Sequence, residues 1–240
     1  QRHVDAADRA RAEGTRLGAV DLVRFVVEAV RTDSSDARPA VEVAPGRLGV
    51  LLVSGALNWD LTFLRRALAG DSSLTVEGFV RGSGGWQPLG AARRARGAMG
   101  AEDLRARAVV VLDGIAPAEI GADFERALAA FVRDGGGLLA LGGASPGLLR
   151  LRGGRLGSDL AVGLGSAPPA GAARPARNAP EPEPAAQDLV AWDPDPARGE
   201  RAWRTAAPLA DVVPLRAGPG DRVLVGASGG GSPLLLARRI

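Results

Sequence analysis

Four strand-like runs separated by helical or irregular segments constrain the fold of this 240-residue chain more than any other feature. The runs are Leu48–Val53, Leu74–Val80, Ala108–Leu112 and Leu138–Leu141. The first and last are continuously apolar, which is typical of parallel strands that are covered on both faces. The sequence therefore predicts four strands between residues 48 and 143, with a parallel sheet as the framework.

Two amphipathic segments alternate with these strands. Residues 61–68 place Leu61, Leu64 and Leu68 on one face, and residues 122–133 carry a second apolar stripe that stops before Gly135. The residues of that second stripe are Phe124, Leu128, Phe131 and Val132. Strand–helix–strand alternation with right-handed crossovers predicts an α/β fold, with an open, mostly parallel, doubly wound sheet of the flavodoxin or Rossmann kind.

The remaining segments predict a more varied organisation. Residues 82–100 are Gly-rich and are interpreted as a surface excursion, and the Pro/Ala-rich stretch 167–186 as a flexible insertion. Arg222–Val225 and Pro233–Ala237 flank a Gly/Ser-rich turn and predict a hairpin that adds to the same sheet. The α/β domain is thus expected to span residues 46–240.

Residues 1–45 are expected to form a separate N-terminal segment. Within it, residues 20–43 fit two strands joined by a turn, although Val20, Val23, Val27 and Val30 also fit a helix. Strand–turn–strand is preferred, as the end of a preceding β domain. The chain begins without Met and stops inside a strand-like run, so both ends are expected to be cut from a longer protein.

Composition argues against several classes of function. The sequence pI of about 10.9 accompanies a net charge of only +3, and the one dense basic cluster, Arg93–Arg96, lacks stacking aromatics, so nucleic-acid binding is not expected. The chain has no Cys and its single His is His3, which argues against a metal site and against a Cys nucleophile. No cofactor is predicted. No apolar run reaches the length of a membrane-spanning helix.

The loop after the first strand is the leading candidate site. Ser54, Asn58, Trp59 and Asp60 lie at the carboxyl end of that strand, where open α/β sheets bind ligands, and they lead into a helix N-terminus. Asn58 and Asp60 are both suitable N-cap residues. The alternative interpretation is a helix cap with Trp59 packed against the sheet edge.

Two further segments are expected to line the same crevice. Asp113 ends the third strand, where a lone carboxylate is also a common turn former. Gly143 and Ser145 follow the fourth strand in a G-x-S-x-G pattern typical of hydrolase nucleophile elbows. Pro146 has no N–H for an oxyanion hole and no His follows Ser145, so these residues are kept only as ligand-binding candidates.

Three stretches together resemble a known family. They are Val50–Leu68, which contains N-W-D-L-T-F-L-R-R-A-L, then Leu74–Arg81, and Phe131–Gly143 with D-G-G-G-L-L. They are similar to the glutamine-amidotransferase-like domain of bacterial membrane proteins that also carry von Willebrand factor A-like segments. The likeness covers roughly residues 45–165, and the first stretch is the most distinctive.

The resemblance implies a class I amidotransferase-like sheet preceded by an immunoglobulin-like β domain, outside the membrane and attached through segments beyond this chain. Active members place a Cys after the fourth strand, where this chain has Gly142-Gly143-Ala144. The resemblance therefore implies a pseudoenzyme without glutaminase activity. Its partners would be proteins in or at the membrane, and its location would be extracytoplasmic, with a cytoplasmic location left open.

Three hypotheses of function follow from these patterns. The first is a non-catalytic structural or interaction domain of a larger membrane-associated protein. The second is a small-ligand-binding module that uses the crevice at the carboxyl ends of the strands. The third is an enzyme of unrecognised mechanism, with Asp60 and Asp113 as its acid–base residues.

Overall fold

The computed structural model describes residues 47–90, 95–115, 117–141, 156, 179–187, 189–193, 195–209, 215–229 and 231–238. The hairpin predicted within residues 20–43 and the preceding-domain assignment of residues 1–45 lie outside these ranges. So do the elbow residues Gly143 and Ser145.

A five-stranded sheet forms the centre of the fold. Its strands are β1 (Leu48–Ser54), β2 (Leu74–Gly82), β3 (Gly85–Pro88), β4 (Val109–Asp113) and β5 (Gly137–Leu141), in the spatial order β3-β2-β1-β4-β5. β1 pairs in parallel with β2 and β4, and β4 pairs in parallel with β5. The expectation of an α/β fold with a mostly parallel sheet is confirmed, and all four strands predicted between residues 48 and 143 are present.

Helices pack on the sheet through two separate apolar clusters. Helix α1 (Trp59–Ala69) buries Leu61, Leu64 and Leu68 against the β1 residues Val50 and Leu52. Helix α2 (Pro117–Ile120) and helix α3 (Ala122–Arg133) contribute side chains to a second cluster, which contains the remaining apolar side chains of β1. That cluster includes Leu51, Val53, Phe124 and Leu128. Because side chains alternate along a strand, the two clusters lie on opposite faces of β1.

The segment between β2 and β4 is more ordered than its composition suggests. Residues 85–88 form β3, which pairs antiparallel with β2, and the side chain of its residue Trp86 is buried. Met99 is also buried, and Ala101–Leu104 forms a 3₁₀ turn before β4. The interpretation of residues 82–100 as a surface excursion is therefore wrong for strand β3 and for the buried Met99. A large aromatic side chain outweighs the low strand propensity of the glycines around it.

The C-terminal hairpin is present but belongs to a different sheet. Strands β7 (Asp221–Ala227) and β8 (Pro233–Arg238) pair with each other, and β7 also pairs with β6 (Pro180–Pro182). Helix α4 (Pro196–Thr205) contributes Trp203 to the core of this second sheet. The prediction that the hairpin extends the first sheet is wrong, because β7 uses its two edges for β6 and β8.

The end of the Pro/Ala-rich stretch is also ordered. Residues 180–182 form β6, and a 3₁₀ turn at Pro184–Ala186 buries Ala186 completely. The prediction of a flexible insertion is therefore wrong for residues 180–186, whereas residues 167–178 lie outside the description. Of the helices in the described ranges, none combines the length and the hydrophobicity needed to cross a membrane.

Candidate functional site

The chain leaves the neighbouring strands β1 and β4 toward opposite sides of the sheet. After β1 the chain forms α1 and returns as β2, which lies next to β1 on the side away from β4. After β4 it forms α3 and returns as β5, which lies next to β4 on the side away from β1. The two connecting loops therefore diverge at the carboxyl edge between β1 and β4. In open α/β sheets a crevice at such a reversal of strand order is the usual place for a ligand. Ser54 and Asp113 are register partners at this edge.

A hydrogen-bonded group of three side chains occupies this edge. The Asp113 carboxylate oxygen Oδ2 accepts from Ser54 Oγ at 2.8 Å and from Asn58 Nδ2 at 2.9 Å. Ser54 is fully buried and Asp113 is 8% exposed. Hydrogen bonds to an ionised carboxylate are stronger than those between neutral groups, particularly where water is scarce. The group, here called the Asp113 network, therefore ties the end of β1 and the start of α1 to β4.

Asn58 also caps α1. Its backbone is extended, with φ of −139°, and its Oδ1 accepts from the Leu61 N–H at 2.6 Å. An Asn at this position satisfies one of the donors that a helix N-terminus leaves without an intrahelical partner. The expectation that Asn58 caps the helix is confirmed. One side chain thus uses its oxygen for the helix and its amide nitrogen for Asp113.

The backbones of the two loops also touch. The Gly55 N–H donates to the Asp113 carbonyl at 3.0 Å, and the Gly114 N–H donates to the Leu141 carbonyl at 3.0 Å. A Cβ added to Gly55 would lie 2.6 Å from the Gly114 carbonyl oxygen. Gly114 itself has a φ of +56°, a left-handed conformation that glycine adopts most readily. The ends of β1, β4 and β5 are consequently held together by their main chains.

Two large apolar side chains are exposed where the β1–α1 loop meets the helix. Leu57 is 72% exposed and Trp59 is 74% exposed, and the remaining exposed large apolar side chain of the described ranges is Leu209, at 44%. The Trp59 ring stacks on Phe63 one turn along α1, with centroids 6.1 Å apart. The alternative in which Trp59 packs against the sheet edge is therefore wrong. Position 59 faces away from the stripe of Leu61, Leu64 and Leu68 that α1 buries.

Arginine pairs with several acids of the described ranges, whereas the buried acids Asp113 and Glu125 are held by hydrogen bonds. Asp103 pairs with Arg96, Glu77 with Arg107, and Asp221 with Arg238. In the described part of the chain no Arg or His forms an ion pair with Asp113, and its oxygen Oδ1 accepts no hydrogen bond. Asp113 is therefore held by two neutral donors that both bind Oδ2.

The Ser54 hydroxyl is committed to hydrogen bonds within the protein. The Ser54 hydroxyl is completely buried and lies 2.8 Å from both Asp113 Oδ2 and the Ala56 carbonyl oxygen, so its proton is committed inside the protein. Over the described ranges, no group of three or more His, Cys, Asp or Glu side chains is arranged to hold a metal ion.

The sequence candidates divide into three groups. Ser54, Asn58 and Asp113 are brought together, and Trp59 lies beside them on the surface. The side chain of Asp60 and the residues Gly143 and Ser145 lie outside what the structure describes. Leu57 was not among the candidates, although an apolar residue inside a loop at a strand's carboxyl end is a signal that could have identified it.

Comparisons of this chain with protein-family models, with curated proteins and with solved structures returned no match. The resemblance of residues 45–165 to amidotransferase-like domains remains a prediction from the sequence.

Proposed function

We propose that this chain is a non-catalytic interaction domain that binds a protein partner through its β1–α1 loop. The exposure of Leu57 in this loop and of Trp59 at the first position of α1 carries the proposal. Large apolar side chains that cluster on a surface mark interaction sites far more often than isolated ones do. Tryptophan is also among the residues that contribute most to binding energy at protein interfaces.

The Asp113 network supports this proposal because it fixes the loop before any partner arrives. Asn58 lies between Leu57 and Trp59, and its side chain is bonded both to α1 and to Asp113. A loop that is already ordered loses little conformational entropy on binding. A purely structural role would require the hydrogen bonds of the Asp113 network, but it would not require two large apolar side chains exposed to water.

The proposed architecture is a doubly wound, amidotransferase-like sheet. It is supported by the strand order β2-β1-β4-β5 and by the packing of α1 and α3 in different apolar clusters. In this arrangement the β1–α1 loop lies at the edge that related folds use for binding.

The absence of catalysis is part of the proposal. The sequence has no Cys, and Gly142-Gly143-Ala144 stands where amidotransferase-like domains carry their nucleophile, which removes the glutaminase mechanism of that class. The buried Ser54 hydroxyl offers no substitute nucleophile. Glutaminase activity in the purified protein would contradict this part of the proposal.

Site-specific photo-crosslinking tests the binding surface. A photoreactive phenylalanine derivative at position 57, in the full-length protein in its native cells, is expected to form a discrete covalent adduct with another protein. The matched control carries the same group at position 102, which is exposed and precedes β4, at the opposite edge of the sheet. Equal adducts at both positions, or none at position 57, would contradict the proposal.

We further propose that the domain belongs to a larger membrane-associated protein and lies on the extracytoplasmic side. Support comes from the resemblance over residues 45–165. Fractionation of the full-length protein is expected to recover it with membranes, and protease is expected to cleave it when only the outer compartment is opened. Recovery as a soluble cytosolic protein would remove this placement and leave the loop surface to be tested separately.

A second candidate function is the binding of a small ligand in the crevice. It is favoured by the convergence of Ser54, Asn58 and Asp113 at the carboxyl edge between β1 and β4, beside the N-terminus of α1. A thermal-shift screen with nucleotides, sugars and acidic metabolites tests it, and a flat response across the panel would remove its support.

A further inference from the structure

We draw no further inference here: the strongest candidate, the outward edge of strand β8 in the second sheet, where Leu234, Leu235 and Leu236 are half-buried and the strand pairs with β7 alone within the described ranges, is an apolar edge for which nothing in the structure shows what covers it.

Discussion

At the scale of single residues, the molecule depends on side chains that serve two neighbours at once. Asn58 accepts from the Leu61 N–H with its oxygen and donates to Asp113 with its nitrogen. Asp113 in turn receives both Asn58 and Ser54 on one oxygen. Substitutions at these positions therefore have separable consequences for the helix and for the loop.

Substitutions of Asn58 should distinguish the contributions of its two hydrogen bonds to stability. Asn58→Ala loses both the cap and the bond to Asp113, and it is expected to lower the free energy of unfolding by about 2–3 kcal/mol. Asn58→Ser keeps a capping oxygen but is too short to reach Asp113, so its expected cost is about 1 kcal/mol less. Urea denaturation measures both values. An equal cost for the two variants would mean that Asn58 does not act as a cap.

Gly55 should tolerate no side chain. Gly55→Ala places a Cβ 2.6 Å from the Gly114 carbonyl oxygen, and both atoms belong to loops that are tied together. An expected loss of about 1–3 kcal/mol follows from this overpacking. Gly84→Ala is the control, because its Cβ would meet nothing within 4 Å. Thermal unfolding of both variants makes the comparison, and equal midpoints would show that the loops can separate at little cost.

At the scale of elements, strand β3 links the glycine-rich segment to the core. Trp86 is 1% exposed, and its backbone pairs with Arg96 on one side and with β2 on the other. Arg96 lies over the Phe79 ring at 5.3 Å and contacts the Asp103 carboxylate. The segment therefore contributes to stability even though most of its residues are small.

Removing the Trp86 side chain should be costly. Trp86→Ala is expected to lower the free energy of unfolding by about 3–5 kcal/mol, because a fully buried indole leaves a large cavity. Leu209→Ala, at a residue that is 44% exposed, is expected to stay within about 0.5 kcal/mol of the unaltered protein. Chemical denaturation of both variants tests the contrast, and similar costs would contradict the assignment of Trp86 to the core.

Some elements could be predicted from the local sequence, whereas others depend on pairing with distant segments of the chain. The runs at residues 48–53 and 138–141 and the stripe of α3 were predictable, because hydrophobic periodicity and Gly135 are visible in the sequence. The placement of β7 and β8 in a second sheet was not, since it depends on pairing with β6 more than 35 residues earlier. In the candidate site, Ser54 and Asp113 could be expected at one edge, whereas the exposure of Leu57 depends on loop geometry.

At the scale of the whole molecule, a sheet framework carries an exposed loop at its carboxyl edge. The parallel strands bring Ser54 and Asp113 into register, the Asp113 network fixes the loop, and Leu57 and Trp59 remain in water. The exposed side chains would be a liability for solubility unless a partner covers them. The central claim is that the pinned loop presents this surface to a protein partner.

The yield of the cross-link from position 57 in the Asn58→Ser background tests this claim most directly. The variant retains Trp59 and a helix cap but loses the bond to Asp113, so the loop is held less firmly before binding. We predict a discrete adduct in the otherwise unaltered protein and a several-fold lower yield with Asn58→Ser at equal protein abundance. An undiminished yield would contradict this claim, because it would show that the partner binds the surface equally well without the bond between Asn58 and Asp113.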